Sequence, residues 1–144
     1  SPAVAQLLTE EKRRGFAKPE TYDDLARRVA ASKEKLVQVI RSMRAEGKHV
    51  AAYGAAAKGM TILHYAGLTA ADLDFCVDGL PEKQGLCTPQ SHVPIVSPEE
   101  ALSRPVDAFL LLAWNFKDLI KGKEKDFVTR GGKFIMPIGD IEIF

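Results

Sequence analysis

The stretch from Val50 to Gly59 carries the pattern with the clearest chemical meaning in this chain. An apolar run ends at Gly54, three alanines follow, and Lys58 and Gly59 open a helical pattern. In α/β proteins such a strand-to-helix turn presents backbone N–H groups, a helix N-terminus and a positive charge, which together bind phosphate groups. The residues that we predict to form this anion site are Gly54, Ala55, Ala56, Lys58 and Gly59.

The spacing of this turn matches neither of the two common phosphate-binding signatures. The middle glycine of G-x-G-x-x-G is missing, and Lys58 precedes the last glycine, whereas the lysine of G-x-x-x-x-G-K-[ST] follows it. A tight turn with a solvated lysine is therefore the alternative interpretation. We favour anion binding because the three alanines leave the backbone open to close approach by a ligand.

Polar residues also follow two other apolar runs. Asp78 comes 24 residues after Gly54, close to the position where dinucleotide-binding proteins carry the acid that binds a ribose hydroxyl. A turn formed by Asp78-Gly79 explains the same residues without a ligand. Lys83 and Gln84 follow in a polar loop that is either solvated or in contact with phosphate. Trp114-Asn115 ends a longer run, and the tryptophan face suits a base or sugar ring, although core packing and capping are the ordinary alternative.

His92 is the candidate for catalysis. It lies in a segment stiffened by Pro89 and Pro94. Histidine as a residue type can act as a general base or bond to a substrate oxygen. Capping of the loop is the alternative role. We find no Ser-His-Asp set, paired-carboxylate site or metal-ligand spacing. Cys76 and Cys87 are interpreted as reduced thiols of a cytoplasmic protein, with a disulfide as the alternative.

The elements that must position these residues follow from the apolar spacing. Tyr22 to Glu46 has the period of an amphipathic helix, and a shorter helix from Val4 to Arg14 precedes it. After Gly47, strands alternate with helices. The predicted strands are 49–53, 73–77, 93–96, 108–113, 133–137 and 140–144, and the predicted helices are 58–66, one opening at 98, and 116–130.

This alternation predicts an α/β fold, a Rossmann-like, doubly wound and mostly parallel sheet. We divide the chain into a helical lead-in over residues 1–47, packed on a main domain over residues 48–144. In such a sheet, ligands bind beyond the carboxyl ends of the strands. The strand that starts at Ala108 is expected beside the first one and across the crevice from it, so one site would collect all three polar groups, which begin at Gly54, Asp78 and Trp114.

Composition limits the class of protein. A chain of 144 residues with 46% hydrophobic content can bury one core, which predicts a single domain. The formal net charge of +1 argues against a nucleic-acid-binding protein, which normally shows a basic excess. The longest apolar run, Ala108 to Trp114, is far too short to cross a membrane.

Five motifs in a fixed order resemble the C-terminal domain of the S-adenosylmethionine-dependent sugar C-methyltransferases. The resemblance extends from about Glu11 to the end of the chain. The motifs are Tyr53–Gly59, Val77-Asp78 with Lys83–Gly85, His92–Ile95, Ala113–Asn115, and Gly131–Ile135 with Pro137. Where the family reads Pro-Gly-Thr-His, this chain has Pro89-Gln90-Ser91-His92. Loss of that glycine removes backbone freedom in the loop.

The resemblance implies a division of labour between domains. Family members carry an N-terminal zinc-binding segment and a central domain that binds S-adenosylmethionine. The Rossmann-like C-terminal domain helps to hold a nucleotide-linked keto-deoxysugar, whose carbon is methylated after a base removes the proton next to the carbonyl. The resemblance therefore implies a fragment that is inactive alone, with a nucleotide-diphosphate sugar and the methyltransferase domain of the same chain as its partners.

The same resemblance assigns roles to the candidate residues. The turn from Gly54 to Gly59, with Tyr53 in the same motif, would meet the diphosphate. Asp78, Lys83 and Gln84 would line the nucleotide side. His92, Trp114 and Asn115 would border the crevice.

Two other functions remain open at this point. A nicotinamide-dependent oxidoreductase or nucleotide-sensing domain built on the same sheet would use Asp78 to bind a ribose. A non-catalytic interaction module would use its N-terminal helices to bind a partner.

Overall fold

A computed structural model describes residues 1–144, and their contacts form two compact units, Ser1–Ala31 and Ser32–Phe144. The first unit contains helix α1 (Pro2–Arg13) and the start of helix α2 (Glu20–Ala45). No residue of α1 is buried. The second half of α2 belongs to the second unit, in which Leu36 and Ile40 are fully buried. This division lies upstream of the predicted boundary at 47/48, which stays a prediction.

The second unit is built on a six-stranded sheet with the order β3-β2-β1-β4-β5-β6. The first five strands are parallel and β6 is antiparallel. The strands are β1 (Val50–Tyr53), β2 (Cys76–Val77), β3 (Ile95–Val96), β4 (Ala108–Leu111), β5 (Lys133–Met136) and β6 (Glu142–Ile143). The predicted Rossmann-like fold is confirmed, and β1 and β4 are neighbours at the switch in strand order, as expected.

Short helices connect the strands. They are α3 (Ala57–Ala66), α4 (Pro98–Leu102), α5 (Lys117–Lys123) and α6 (Lys125–Thr129). The single helix predicted over residues 116–130 is wrong, because the backbone leaves the helical conformation at Glu124, with φ −99° and ψ 34°. Gly122 weakens the helix just before this break, and the Glu124 carboxylate bonds to the sheet instead. No helix of the chain combines the length and apolar character needed to cross a membrane.

Two apolar layers cover the sheet. Successive strand residues point to opposite faces, so Ala52 and Leu110 join a layer with Leu63 of α3, whereas Phe109 and Phe134 join an aromatic layer. All four residues of β4 are buried, as predicted for a central strand. On the aromatic face the connecting helices are only five to seven residues long. They leave part of that face open.

Candidate functional site

Two adjoining cavities share lining residues at the carboxyl ends of β1 and β2, and the second extends across the sheet to residues that precede β4 and β5. The first, which we call the upper cavity, has a volume of about 340 Å³ and is lined by Gly54, Asp78 and Phe116 among others. The second, the aromatic crevice, has a volume of about 400 Å³ and is lined by Phe109, Phe127 and Glu124 among others. The residues that line both cavities are Tyr53, Val77, Pro98 and Lys123.

The residues from Gly54 to Gly59 connect β1 to α3, and we call them the glycine turn. Their shape depends on close packing against the end of β4. Gly54 has φ +85°, and a Cβ atom placed on it would lie 2.8 Å from the Cβ of Ala113. A Cβ atom on Gly59 would lie 2.6 Å from the Cβ of Leu112. Both positions therefore require glycine for a structural reason. The same packing places the N-terminus of α3 beside the segment that follows β4.

The backbone N–H groups of this turn differ in their availability. The Gly54 N–H donates to the Val77 carbonyl at 2.8 Å, and the Ala55 N–H donates to Asp78 Oδ2 at 2.7 Å. The Ala56 N–H bonds to the Gly54 carbonyl at 2.8 Å. The N–H groups of Ala57 and Lys58 have no acceptor within the chain. These two groups, and not that of Ala55, are therefore free to bind an anion.

The carboxylate of Asp78 accepts hydrogen bonds from Ala55, Leu80 and Lys83, and we call this set of bonds the Asp78 clamp. Its Oδ1 accepts the Leu80 N–H at 2.9 Å, and its Oδ2 accepts both the Ala55 N–H and Lys83 Nζ, the latter at 3.1 Å. Burial disfavours the charged carboxylate, but these donors outweigh it and lower the pKa of Asp78. Lys83 also donates to the Ala55 carbonyl, and Gln84 donates to the Asp78 carbonyl.

The hydrogen bonds of Asp78 argue against the alternative in which this residue binds a ribose. Both oxygens of Asp78 are already hydrogen-bonded, so a ribose contact of the dinucleotide type would have to displace a bond that holds the glycine turn. Lys83 and Gln84 likewise face the protein. Their contact with a ligand stays a prediction, and the observed contacts do not fit the ribose-binding acid of a nicotinamide-dependent enzyme.

The ammonium group of Lys58 lies over two aromatic rings that follow β4. Its Nζ lies 4.6 Å from the centroid of the Trp114 ring and 5.9 Å from that of Phe116. Cation–π contacts of this kind position an ammonium group without neutralising its charge. No carboxylate forms an ion pair with Lys58. Asn115 is exposed in the same turn.

His92 does not lie with these residues. β3 runs parallel to β2, so the residues before Ile95 lie toward the amino ends of the strands, and His92 lines neither cavity. The loop is fixed there because the Ala70 N–H donates to the Ser91 carbonyl and the His64 ring bonds to the Pro89 carbonyl. The expectation that His92 borders the crevice is thus wrong. A catalytic role for it stays a prediction to which this geometry adds no support.

The aromatic crevice contains a partly buried hydrogen bond between β1 and the break that follows α5. The Tyr53 hydroxyl donates to Glu124 Oε1 at 2.7 Å. Burial and the neighbouring carboxylate both raise the pKa of Tyr53. The Tyr53 ring meets Phe109 edge-on, with centroids 5.5 Å apart, and Phe109 lies 4.9 Å from Phe127. The crevice therefore joins flat apolar walls to one half-buried carboxylate.

Comparison with known proteins establishes the family. The family model of the C-methyltransferase C-terminal domain matches residues 1–139. The chain belongs to this family. It is also similar to the C-methyltransferase NovU of Streptomyces niveus, with 42% identity over 137 residues, which are 95% of this chain and 33% of NovU. The chain thus spans about a third of the length of this curated relative, and the resemblance inferred from its motifs is confirmed.

Two residues that line the cavities of this C-methyltransferase domain, Glu124 and Lys123, belong to none of the sequence motifs. Two signals could have pointed to them. Gly122 interrupts the predicted helix 116–130, and the charged residues around it have no regular spacing. Both features indicate a helix break, but neither shows which side chain turns toward the sheet.

Proposed function

We propose that this domain holds the acceptor substrate of an S-adenosylmethionine-dependent C-methyltransferase, a nucleotide-diphosphate sugar. The observation that carries the proposal is the pair of unbonded N–H groups on Ala57 and Lys58, next to an ammonium group without an anionic partner. A helix N-terminus and a lysine together provide hydrogen bonds and charge for a diphosphate.

The upper cavity, which is lined by Gly54 of the same turn, supports this assignment. Lys123 lines it and supplies a second positive charge. Gly54 forms its floor without a side chain, and Phe116 adds an apolar wall beside Trp114. In the proposed complex the diphosphate lies between Lys58 and Lys123, and Trp114 and Asn115 border the sugar.

We assign methyl-donor binding and zinc binding to other parts of such an enzyme. This chain corresponds to about a third of NovU. Asp78, the acid at the position that binds ribose in many Rossmann-like domains, is committed to the clamp. The 144 residues are therefore expected to bind the acceptor but not to transfer a methyl group without the methyltransferase domain.

Calorimetric titration of the 144-residue chain with UDP-glucose and dTDP-glucose tests the proposal. Removing a charged hydrogen-bonding group costs about 1.5–3 kcal/mol, so Lys58→Ala should weaken binding about 10- to 100-fold. Lys35→Ala, which removes an exposed lysine of α2, is the control and should bind like the wild type. Absence of binding at millimolar concentrations, equal binding by Lys58→Ala, or binding of NAD alone would overturn the proposal.

A further inference from the structure

We propose that α1 and the first half of α2 carry a docking surface for the methyltransferase domain that precedes this domain in the complete enzyme. The inference rests on the part of the proposed function that assigns methyl-donor binding to another portion of the same chain. It does not involve the acceptor site, because none of its residues lines either cavity. The surface consists of six large apolar side chains, which we call the lead-in stripe: Val4, Leu7, Leu8, Tyr22, Leu25 and Val29.

The spacing of the lead-in stripe places its members on one face of each helix. On α1 the second and third members follow Val4 by three and four positions, and on α2 the steps are three and then four positions. The same face of α2 continues to Leu36 and Ile40, which are fully buried. One face of a single helix is therefore covered in its second half and bare in its first half.

The lead-in stripe has no cover within this chain. None of the first 31 residues is buried, and the stripe residues remain between 44% and 64% exposed. Helices in proteins gain most of their stability by packing an apolar face, and an isolated helix of the length of α1 is marginal in water. A contiguous apolar surface of this kind marks an interaction site. The stripe therefore needs a partner.

The charges of the two helices indicate a protein partner. Glu10 pairs with Arg13 and Arg14, and Asp24 pairs with Arg28, all within one helical turn. The first 31 residues contain five acidic and six basic side chains. Helices that bind a membrane surface or a nucleic acid carry a clear basic excess. Balanced and locally paired charges instead fit a partner that is recognised by apolar packing.

The family relationship identifies the partner as the methyltransferase domain. The family model describes a C-terminal domain, and the part of NovU that matches this chain is 33% of that enzyme. Because α1 and α2 are the first elements of the matched region, they are nearest in sequence to a preceding domain. A covalently tethered partner has a high effective concentration, so a stripe of six side chains suffices. Stable interfaces between separate molecules use roughly 20–30 residues on each side.

Hydrogen–deuterium exchange of the α1 amides in the complete enzyme and in the 144-residue chain tests the inference. Exchange in the complete enzyme should be at least about tenfold slower, because docking opposes local opening of the helix. Leu7→Glu and Leu25→Glu in the complete enzyme should each restore fast exchange, since each places a charge against an apolar partner. Leu86→Glu is the matched control. Leu86 is 58% exposed and lies outside the stripe, so this variant should leave α1 protected.

The outcomes separate this inference from the proposed function. Equal α1 exchange in both proteins, or protection that survives both stripe variants, would overturn the docking surface. Slow α1 exchange in a 144-residue chain that sediments as a dimer would also overturn it, because the partner would then be a second copy. If nucleotide-sugar binding by the 144-residue chain still depends on Lys58, the proposed function stands in each of these cases. Unchanged melting temperatures of the variant 144-residue chains verify folding.

Discussion

Gly59→Ala is expected to destabilise the domain by about 1–3 kcal/mol, the usual cost of forcing an extra methyl group into a packed core. The added Cβ would lie 2.6 Å from the Leu112 Cβ and 3.3 Å from the Leu112 carbonyl oxygen. Leu112 is fully buried directly after β4, so it cannot move aside at low cost. The higher helix propensity of alanine, about 1 kcal/mol, offsets only part of this loss. Urea unfolding followed by circular dichroism measures the difference.

Gly122→Ala is the matched control for this prediction. Gly122 also lies in a helix, α5, but a Cβ atom placed on it would meet no atom within 4 Å. This variant should be as stable as the wild type, or more stable by up to about 1 kcal/mol through helix propensity. Equal stability of Gly59→Ala and Gly122→Ala would show that α3 can move away from β4. Close packing of Gly59 on Leu112 would then not be required for the stability of the domain.

Asp78→Ala is expected to lower the free energy of unfolding by about 1–3 kcal/mol, an amount similar to that expected for Gly59→Ala. The substitution leaves the N–H groups of Ala55 and Leu80 and the ammonium group of Lys83 without their acceptor. A partly buried donor that loses its partner costs about 1–3 kcal/mol. Because Ala55 immediately precedes the free N–H groups of the proposed anion site, the variant should also bind nucleotide-sugars more weakly. Thermal unfolding and calorimetry measure the two effects.

The pH dependence of the free energy of unfolding tests whether the negative charge of Asp78 stabilises the glycine turn. Its pKa is lowered in the folded state, so its stabilisation is present above the unfolded pKa of about 4 and is lost as the pH falls through the folded value. The stability difference between the wild type and Asp78→Asn should therefore be constant above about pH 5 and shrink in more acidic solution. Glu82→Gln, an exposed neighbour in the same loop, should show no such change. A difference between wild type and Asp78→Asn that does not vary with pH would contradict the clamp.

The architecture of this domain could be predicted from apolar spacing. Alternation of β-period and helix-period segments after Gly47 indicated a doubly wound sheet, and the continuous apolar run from Ala108 indicated a strand covered on both faces. These features could be predicted because the spacing of apolar residues along the sequence indicates both the type of element and its degree of burial. For the same reason the glycine turn could be located at the end of β1, and five ordered motifs were sufficient to indicate the family.

The partners of the polar groups could not be predicted in this way. Asp78 faces Ala55 across 23 residues, and Tyr53 faces Glu124 across 71. The family resemblance implied that His92 borders the crevice, yet the direction of β3 carries it toward the amino ends of the strands. Such pairings depend on long-range geometry, because a hydrogen bond forms only within about 3 Å and at a favourable angle. Periodicity assigns a residue to an element and a face, but only the packed chain brings two distant side chains within that range.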